Sequence, residues 1–173
     1  MTKLVVFDSK YGNTKQVAET IASALGDALT VEHAGELAPD DAVTVAHAGE
    51  LAPDDLAGRS LLVVGCPTHR FRPSAAVNEL LRQLPEGALN GLRAACFDTR
   101  VAERRMPAIL RVFVRLQGAR AYAAAHLAGA LAKRGATLVA EPEGFLVQGM
   151  EGPLEDGELE RAARWAGDLV RRA

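Results

Sequence analysis

The segment that most constrains the fold lies near the N-terminus, where an apolar run is followed after a short loop by a helical pattern. Residues 4–7 are all apolar and predict a buried strand, within bounds of 3–8. The spacing of Val17, Ile21 and Leu25 predicts a helix over residues 14–25 with one apolar face. The loop between them reads SKYGNT, and Gly26 follows the helix. A strand, a loop of this kind and a helix N-terminus predict a phosphate site, because first-turn N–H groups and the helix dipole favour an anion. An ordinary capped turn is the alternative.

The rest of the chain repeats this alternation of strands and helices. Further strands are predicted at about residues 60–65, 93–98 and 137–140, the last interrupted at 141–144 and resumed at 145–148. Helical patterns cover about residues 74–84 and 119–134, and an apolar stripe from Leu159 to Leu169 marks the last helix. Such alternation predicts a parallel sheet with helices on both faces. A length of 173 residues fits a single domain, 1–173.

Several of these segments resemble, in order, those of the flavodoxin family. Residues 5–14 (VVFDSKYGNT) followed by 17–21 (VAETI) look like the family's first strand, loop and helix. Residues 61–68 (LLVVGCPT) and 94–100 (AACFDTR) resemble its third and fourth strands with the loops that follow them. The resemblance implies a flavodoxin-like three-layer, doubly wound, parallel five-stranded sheet in the order 2-1-3-4-5, with helices on both faces. It also implies FMN as the cofactor, bound beyond the carboxyl ends of strands 1 and 3.

The resemblance assigns FMN contacts to three loops. The first loop is expected to bind the phosphate, with Lys10 as an outer cation, and the other two to enclose the flavin ring, with His69 or Phe71 covering one ring face. The predicted contacts are Ser9, Lys10, Tyr11, Gly12, Asn13, Thr14, Pro67, Thr68, His69, Arg70, Phe71, Asp98, Thr99 and Arg100. The third loop departs from the family, since it lacks the aromatic residue that many flavodoxins stack on the ring there.

Residues 27–54 contain a tandem duplication. Residues 27–40 read DALTVEHAGELAPD and residues 41–54 read DAVTVAHAGELAPD. Because the first copy directly follows the first helix, it is expected to supply strand 2 at the sheet edge. The second copy is then expected to loop out, to add an outer strand, or to pair with another molecule as a homodimer. A metal site formed by His33 and His47 is disfavoured.

Residues 101–117 form a basic and apolar insert. Arg104, Arg105, Arg111 and Arg115 lie among large apolar residues, with Glu103 as the single acid. Pro107 is placed to start a short helix. The insert is interpreted either as a helix packed on the domain with its arginines in solvent, or as a docking surface beside the flavin.

Charge and cysteine content bound the setting. A net charge of −2 predicts no general affinity for nucleic acid, and it is less acidic than expected of an electron-shuttling flavodoxin. The sequence runs directly from Met1-Thr2-Lys3 into the first strand and contains no apolar run long enough for a transmembrane segment, so a cytoplasmic location is expected. Cys66 and Cys96 are expected to be small core residues of neighbouring strands.

The sequence leaves three functions open. An FMN protein of electron transfer, passing electrons to a redox partner protein, is favoured. The alternatives are an FMN-dependent quinone or protoporphyrinogen oxidoreductase with a small quinone-like substrate, and a flavin-free scaffold of the same fold. Whether the protein is an enzyme is therefore not decided. A phosphatase loop, from the Cys66-x5-Arg72 spacing, is disfavoured because Pro67 lacks an N–H group that such a loop needs.

Overall fold

The computed structural model describes residues 2–26, 29–31, 43–56, 58–69 and 71–172. Its strands are β1 (Lys3–Phe7), β2 (Leu29–Val31), β3 (Val43–His47), β4 (Leu61–Pro67), β5 (Arg93–Val101), β6 (Thr137–Leu138) and β7 (Glu143–Val147). Its α-helices are α1 (Asn13–Leu25), α2 (Ala75–Gln83), α3 (Ala108–Gln117), α4 (Ala123–Lys133) and α5 (Glu158–Arg172). Within these residues, no helix has both the length and the apolar character needed to cross a membrane.

The strands form one parallel sheet in the order β2-β3-β1-β4-β5-β6. The seventh strand, β7, pairs with β5 beyond β6, so the last strand position is built from two segments separated by residues 139–142. An interruption was predicted at residues 141–144, and it lies two residues earlier in the structure, ending at Pro142, a residue that is unfavourable inside a strand. The predicted flavodoxin-like, doubly wound order is confirmed, with one additional strand at the β2 edge.

Two apolar layers hold the helices against the sheet. On one face, α1 and α5 contribute Val17, Ile21 and Leu169 to a buried cluster. On the other, α2 and α4 contribute residues such as Leu80 and Leu127. Trp165 packs edge-on against the rings of Phe97 and Phe145, as a residue of helix–sheet packing. The three-layer architecture is therefore confirmed.

The duplicated copies occupy the opposite positions from those expected. The second copy supplies β3, which pairs along its whole length with β1, and the first copy supplies the outer strand β2. The prediction that the first copy forms the inner strand was wrong. A physical reason is that the second copy leads directly to β4, so that Ala48 of this copy and Leu56, which follows it, are buried in the core. His33 and the rest of residues 32–42 lie outside the described part of the chain.

Candidate functional site

The loop after β1 leaves the N-terminus of α1 open. Gly12 takes the N-cap position with φ 84°, in the left-handed region that favours glycine. Among the described residues, no side chain caps the first turn of α1, and that turn contains no acidic residue. Because the first N–H groups of a helix have no partner within the helix, this terminus can accept an anion.

A buried hydroxyl group lies in the same loop. The Oγ atom of Ser9 is excluded from solvent and has no hydrogen-bond partner in the described part of the chain. An unpaired buried hydroxyl is unfavourable, so its presence beside an open helix terminus indicates that a ligand completes its bonding.

The neighbouring loop residues connect the first loop to two other loops. The Nδ2 group of Asn13 donates to the carbonyl oxygen of Glu151 at 2.9 Å. The hydroxyl groups of Thr14 and Thr99 are 2.8 Å apart and buried. Because only one of these two hydroxyls donates to the other, the second keeps its proton for a further acceptor.

These loops surround a cleft of about 460 Å³ at the carboxyl ends of β1, β4, β5 and β7. Most of the predicted contacts line it. They are Ser9, Lys10, Tyr11, Asn13, Thr14, Pro67, Thr68, His69, Thr99 and Arg100. The cleft lies where β1 and β4 are neighbours in the sheet, which is the position at which doubly wound folds bind ligands.

The cleft contains one acid that belongs to a hydrogen-bonded pair. The Oδ1 atom of Asp8, which lines the cleft, is 3.0 Å from Nε2 of His47. The Nδ1 atom of His47 accepts from the backbone N–H of Gly49 at 3.1 Å, so the proton of the neutral ring lies on Nε2 and is donated to Asp8. His47 therefore gives the carboxylate of Asp8 a hydrogen-bond donor of its own.

Asp98, a predicted contact, lies outside the cleft and performs a structural task. Its fully buried carboxylate accepts the backbone N–H of Ala124 at 2.8 Å and pairs with Nε of Arg100 at 2.5 Å. The hydroxyl of Thr68 bonds to the same carboxylate and accepts the N–H of Ala123 at 2.9 Å. Burial raises the pKa of Asp98, while Arg100 and these hydrogen bonds act to lower it. Asp98 thus occupies the N-terminus of α4, whereas no acid of the described residues caps the N-terminus of α1.

Three further predicted contacts do not line the cleft in the described chain. Phe71, with φ 65°, packs against Phe113 with ring centroids 4.8 Å apart, because the insert after β5 offers it an apolar partner. Gly12 contributes backbone conformation without a side chain at the surface of the cleft. Arg70 lies outside the described residues.

The cleft also includes residues that the sequence did not indicate. They are Asp8, Ser74, Ala75, Val101, Val147 and Met150. Asp8 directly precedes the motif, and a wider reading of that loop would have found it. Met150 lies in the connection from β7 to α5, to which the sequence assigned no ligand contact. The contact of Asn13 with Glu151 joins this connection to the first loop.

The cysteines are buried, as expected. Burial raises the pKa of the Cys66 thiol to about 12, and burial also raises the pKa of Cys96. Because a thiolate is the reactive form, Cys66 is unsuited to act as the nucleophile of a phosphatase loop.

Comparisons with solved structures place the chain among doubly wound α/β proteins. The structure of flavodoxin 1 from Bacillus cereus superposes with a TM-score of 0.70 at 16% sequence identity, and the match covers 100% of this chain and 99% of that protein. A flavodoxin, WrbA-like protein from Agrobacterium tumefaciens superposes with a TM-score of 0.65 at 17% identity, and the match covers 98% of this chain and 95% of that protein. Rubredoxin oxygen:oxidoreductase from Desulfovibrio gigas superposes with a TM-score of 0.68 at 15% identity, and the match covers 98% of this chain but 35% of that longer protein.

These matches establish the fold as that of flavodoxins. No model of a known protein family matches the sequence, and no curated protein matches it. At this level of sequence identity, structural similarity supports the fold alone and assigns no chemistry to the cleft.

Proposed function

We propose that the protein binds FMN in the cleft and acts in electron transfer. The observation that carries the proposal is the open N-terminus of α1 beside the buried, unpaired hydroxyl of Ser9. When bound, FMN supplies the redox chemistry, and the protein binds, orients and shields it.

The phosphate is assigned to the first loop. A phosphate monoester carries close to two negative charges and needs several donors when it leaves water. The first-turn N–H groups of α1, the Ser9 hydroxyl and the free proton of the Thr14–Thr99 pair supply them. Lys10, which is exposed at the rim, adds a positive charge at longer range.

The flavin ring is assigned to the remaining part of the cleft. Its lining there is mainly apolar or planar, from Pro67, Val101, Val147 and Met150 with Tyr11 and His69. Because Phe71 packs against Phe113 while His69 lines the cleft, we assign to His69 the cover of one ring face. Tyr11 of the first loop also lines the cleft and is 46% exposed, and we assign to it the cover of the other ring face.

A pair of serine variants tests the phosphate assignment. We expect Ser9→Ala to weaken FMN binding by about 10- to 100-fold, because a hydrogen bond to a charged group is lost. The variant should not lower the stability of the flavin-free protein, since the hydroxyl has no partner there. Ser60→Ala is the matched control, because the Ser60 hydroxyl bonds to the carbonyl of Thr2, before the start of β4 and at the opposite end of the sheet. Equal FMN affinity in Ser9→Ala and the unmodified protein, measured by flavin fluorescence quenching, would contradict the assignment.

A second candidate function is an FMN-dependent oxidoreductase acting on a small quinone-like substrate. It is favoured by the exposed apolar helix α3, which touches the cleft-lining loop through Phe113 and Phe71. Oxidation of NAD(P)H with a soluble quinone by the FMN-loaded protein separates this function from electron transfer to a protein. A protein that stays colourless at saturating FMN would instead be a flavin-free scaffold.

Two further features belong to this proposal. A cytoplasmic location is consistent with two buried free thiols, which are typical of reducing compartments. A homodimer through the edge of β2 stays a prediction, testable by light scattering.

A further inference from the structure

The helix α3 presents its apolar face outwards. The positions i, i+3, i+4 and i+7 of a helix share one face, and surface helices normally turn such a face to the core. In α3 these positions face solvent instead: Ile109 is 79% exposed, Val112 57%, Phe113 40% and Leu116 82%. Val114 is the buried residue of the helix.

Packing on the opposite side holds α3 in this orientation. Val114 lies in a small buried cluster with Ala121 and Tyr122, onto which Phe71 and Met106 pack. The helix ends at Gly118, which has φ 57° and donates its N–H to the carbonyl of Val114. The outward apolar face is therefore a fixed feature of this surface, and it contains four of the nine large exposed apolar side chains of the described chain.

Unpaired arginines flank the apolar face. Arg111 and Arg115 lie one turn apart on α3, and Arg120 follows the helix. None of the three pairs with an acid in the described part of the chain, whereas Arg104 and Arg105 share Glu155. Arg120 also lines a groove along α4 with Lys133 and Arg134. A chain with a net charge of −2 thus concentrates positive charge around one apolar helix.

We propose that this surface, formed by α3 and its flanking arginines, docks on a membrane that contains anionic lipids. Aliphatic side chains on one face with arginines beside them are the composition of helices that lie in the membrane interface. Each basic residue close to an anionic lipid surface adds to the attraction.

A protein partner fits the same surface less well. Cores of protein interfaces are enriched in aromatic residues, and a stable interface buries about 800 Å² on each partner. The outward face of α3 is aliphatic apart from Phe113, and a ten-residue helix is only about 15 Å long. A lipid surface requires no matching shape, so a short helix suffices when charge adds to burial.

Docking in this way would bring the cleft close to the lipid headgroups. Phe71, which contacts Phe113, belongs to the same loop as His69, which lines the cleft. The docking surface itself does not depend on flavin binding, so it can be tested on the protein with or without FMN.

Vesicle flotation tests the docking. The probes are vesicles of phosphatidylcholine alone and of an equal mixture of phosphatidylcholine and phosphatidylglycerol. We expect the protein to float with the mixed vesicles at low ionic strength, to bind the neutral vesicles weakly, and to be released from the mixed vesicles by high salt.

Two double variants separate charge from apolar contact. Arg111→Gln with Arg115→Gln should lower partitioning to mixed vesicles about 30-fold, since each basic residue contributes a factor of about five. Ile109→Ser with Leu116→Ser should lower it roughly tenfold or more. All four side chains are exposed, so the fold should be kept, which circular dichroism checks.

The matched control is Arg82→Gln with Arg171→Gln, two exposed arginines on α2 and α5 that should leave partitioning unchanged. Absence of flotation with mixed vesicles overturns the proposal, and so does an equal loss in this control. Binding to soluble poly-L-glutamate without binding to vesicles also overturns it and assigns the surface to an acidic protein.

Discussion

At the residue scale, Gly65 shows how one missing side chain allows two strands to pack. Gly65 in β4 lies beside Phe97 in β5, and a Cβ atom at Gly65 would come within 2.0 Å of the Phe97 ring. Phe97 is fully buried between the sheet and α5, so the ring has no free space to move into.

We therefore expect Gly65→Ala to lower the free energy of unfolding by about 1–3 kcal/mol through overpacking. Gly129→Ala is the matched control, because Gly129 lies inside α4 with no atom near its Cβ position, and alanine there should raise stability by up to about 1 kcal/mol. Urea unfolding measures both. A stable Gly65→Ala protein would mean that β4 and β5 are not packed as described.

The residues of the first loop were predictable from sequence, whereas the partners of Phe71 and Asp98 were not. A buried strand followed by SKYGNT and a helix defines a local structure, and local spacing is sufficient to indicate it. Phe71 turns towards the insert after β5, and Asp98 turns towards α4, through contacts between residues distant in sequence. No pattern in either segment shows which way such a side chain turns.

At the element scale, the internal anion of Asp98 decides how α4 is attached to the sheet. Its carboxylate receives the first amides of α4 together with Thr68, and it also pairs with Arg100, which lies over the ring of Tyr122. Removing the carboxylate leaves both a helix terminus and a mostly buried guanidinium without their partner.

We expect Asp98→Ala to lower the free energy of unfolding by about 3–5 kcal/mol, as when one member of a buried ion pair is removed. Asp168→Ala removes an exposed pair with Arg171 and should cost less than about 1 kcal/mol. Chemical unfolding of both variants compares them directly. Similar small losses in the two variants would show that Asp98 does not anchor α4.

The parallel sheet was predictable from the alternation of strands and helices, and its strand order from the resemblance to flavodoxins, but the assignment of the two duplicated copies was not. Both copies carry the same strand pattern, so the sequence offers no local reason for either copy to take the inner position beside β1. The choice depends on the direct connection of the second copy to β4, through which Ala48 of that copy and Leu56 just after it pack in the core.

Deletion of residues 27–40 tests this account of the duplication. The shortened chain would join Gly26 to Asp41 and Ala42, repeating the connection that now precedes β2. We expect a folded protein that keeps β3 beside β1 and binds FMN with unchanged affinity, since the cleft lies on loops outside the deleted segment. Loss of the cooperative unfolding transition after this deletion would indicate that the outer copy is needed for the sheet.

At the scale of the whole molecule, the carboxyl end of the sheet pairs its acidic side chains but leaves one helix terminus without an anion from the described part of the chain. At the carboxyl end, Arg100 pairs with Asp98 and Asp8 with His47, while the N-terminus of α1 has no internal partner among the described residues. The helix terminus in the cleft is thus left without an anion of the described chain at the point assigned to phosphate. This distribution, more than the fold, supports a phosphorylated cofactor.

Calorimetric titration of the protein with FMN, and separately with riboflavin, tests this central claim most directly. We predict one FMN bound per chain and riboflavin bound at least about 100-fold more weakly, because riboflavin lacks the group that the first loop would hold with several charged hydrogen bonds. Absence of FMN binding, or equal affinity for the two compounds, would contradict the account.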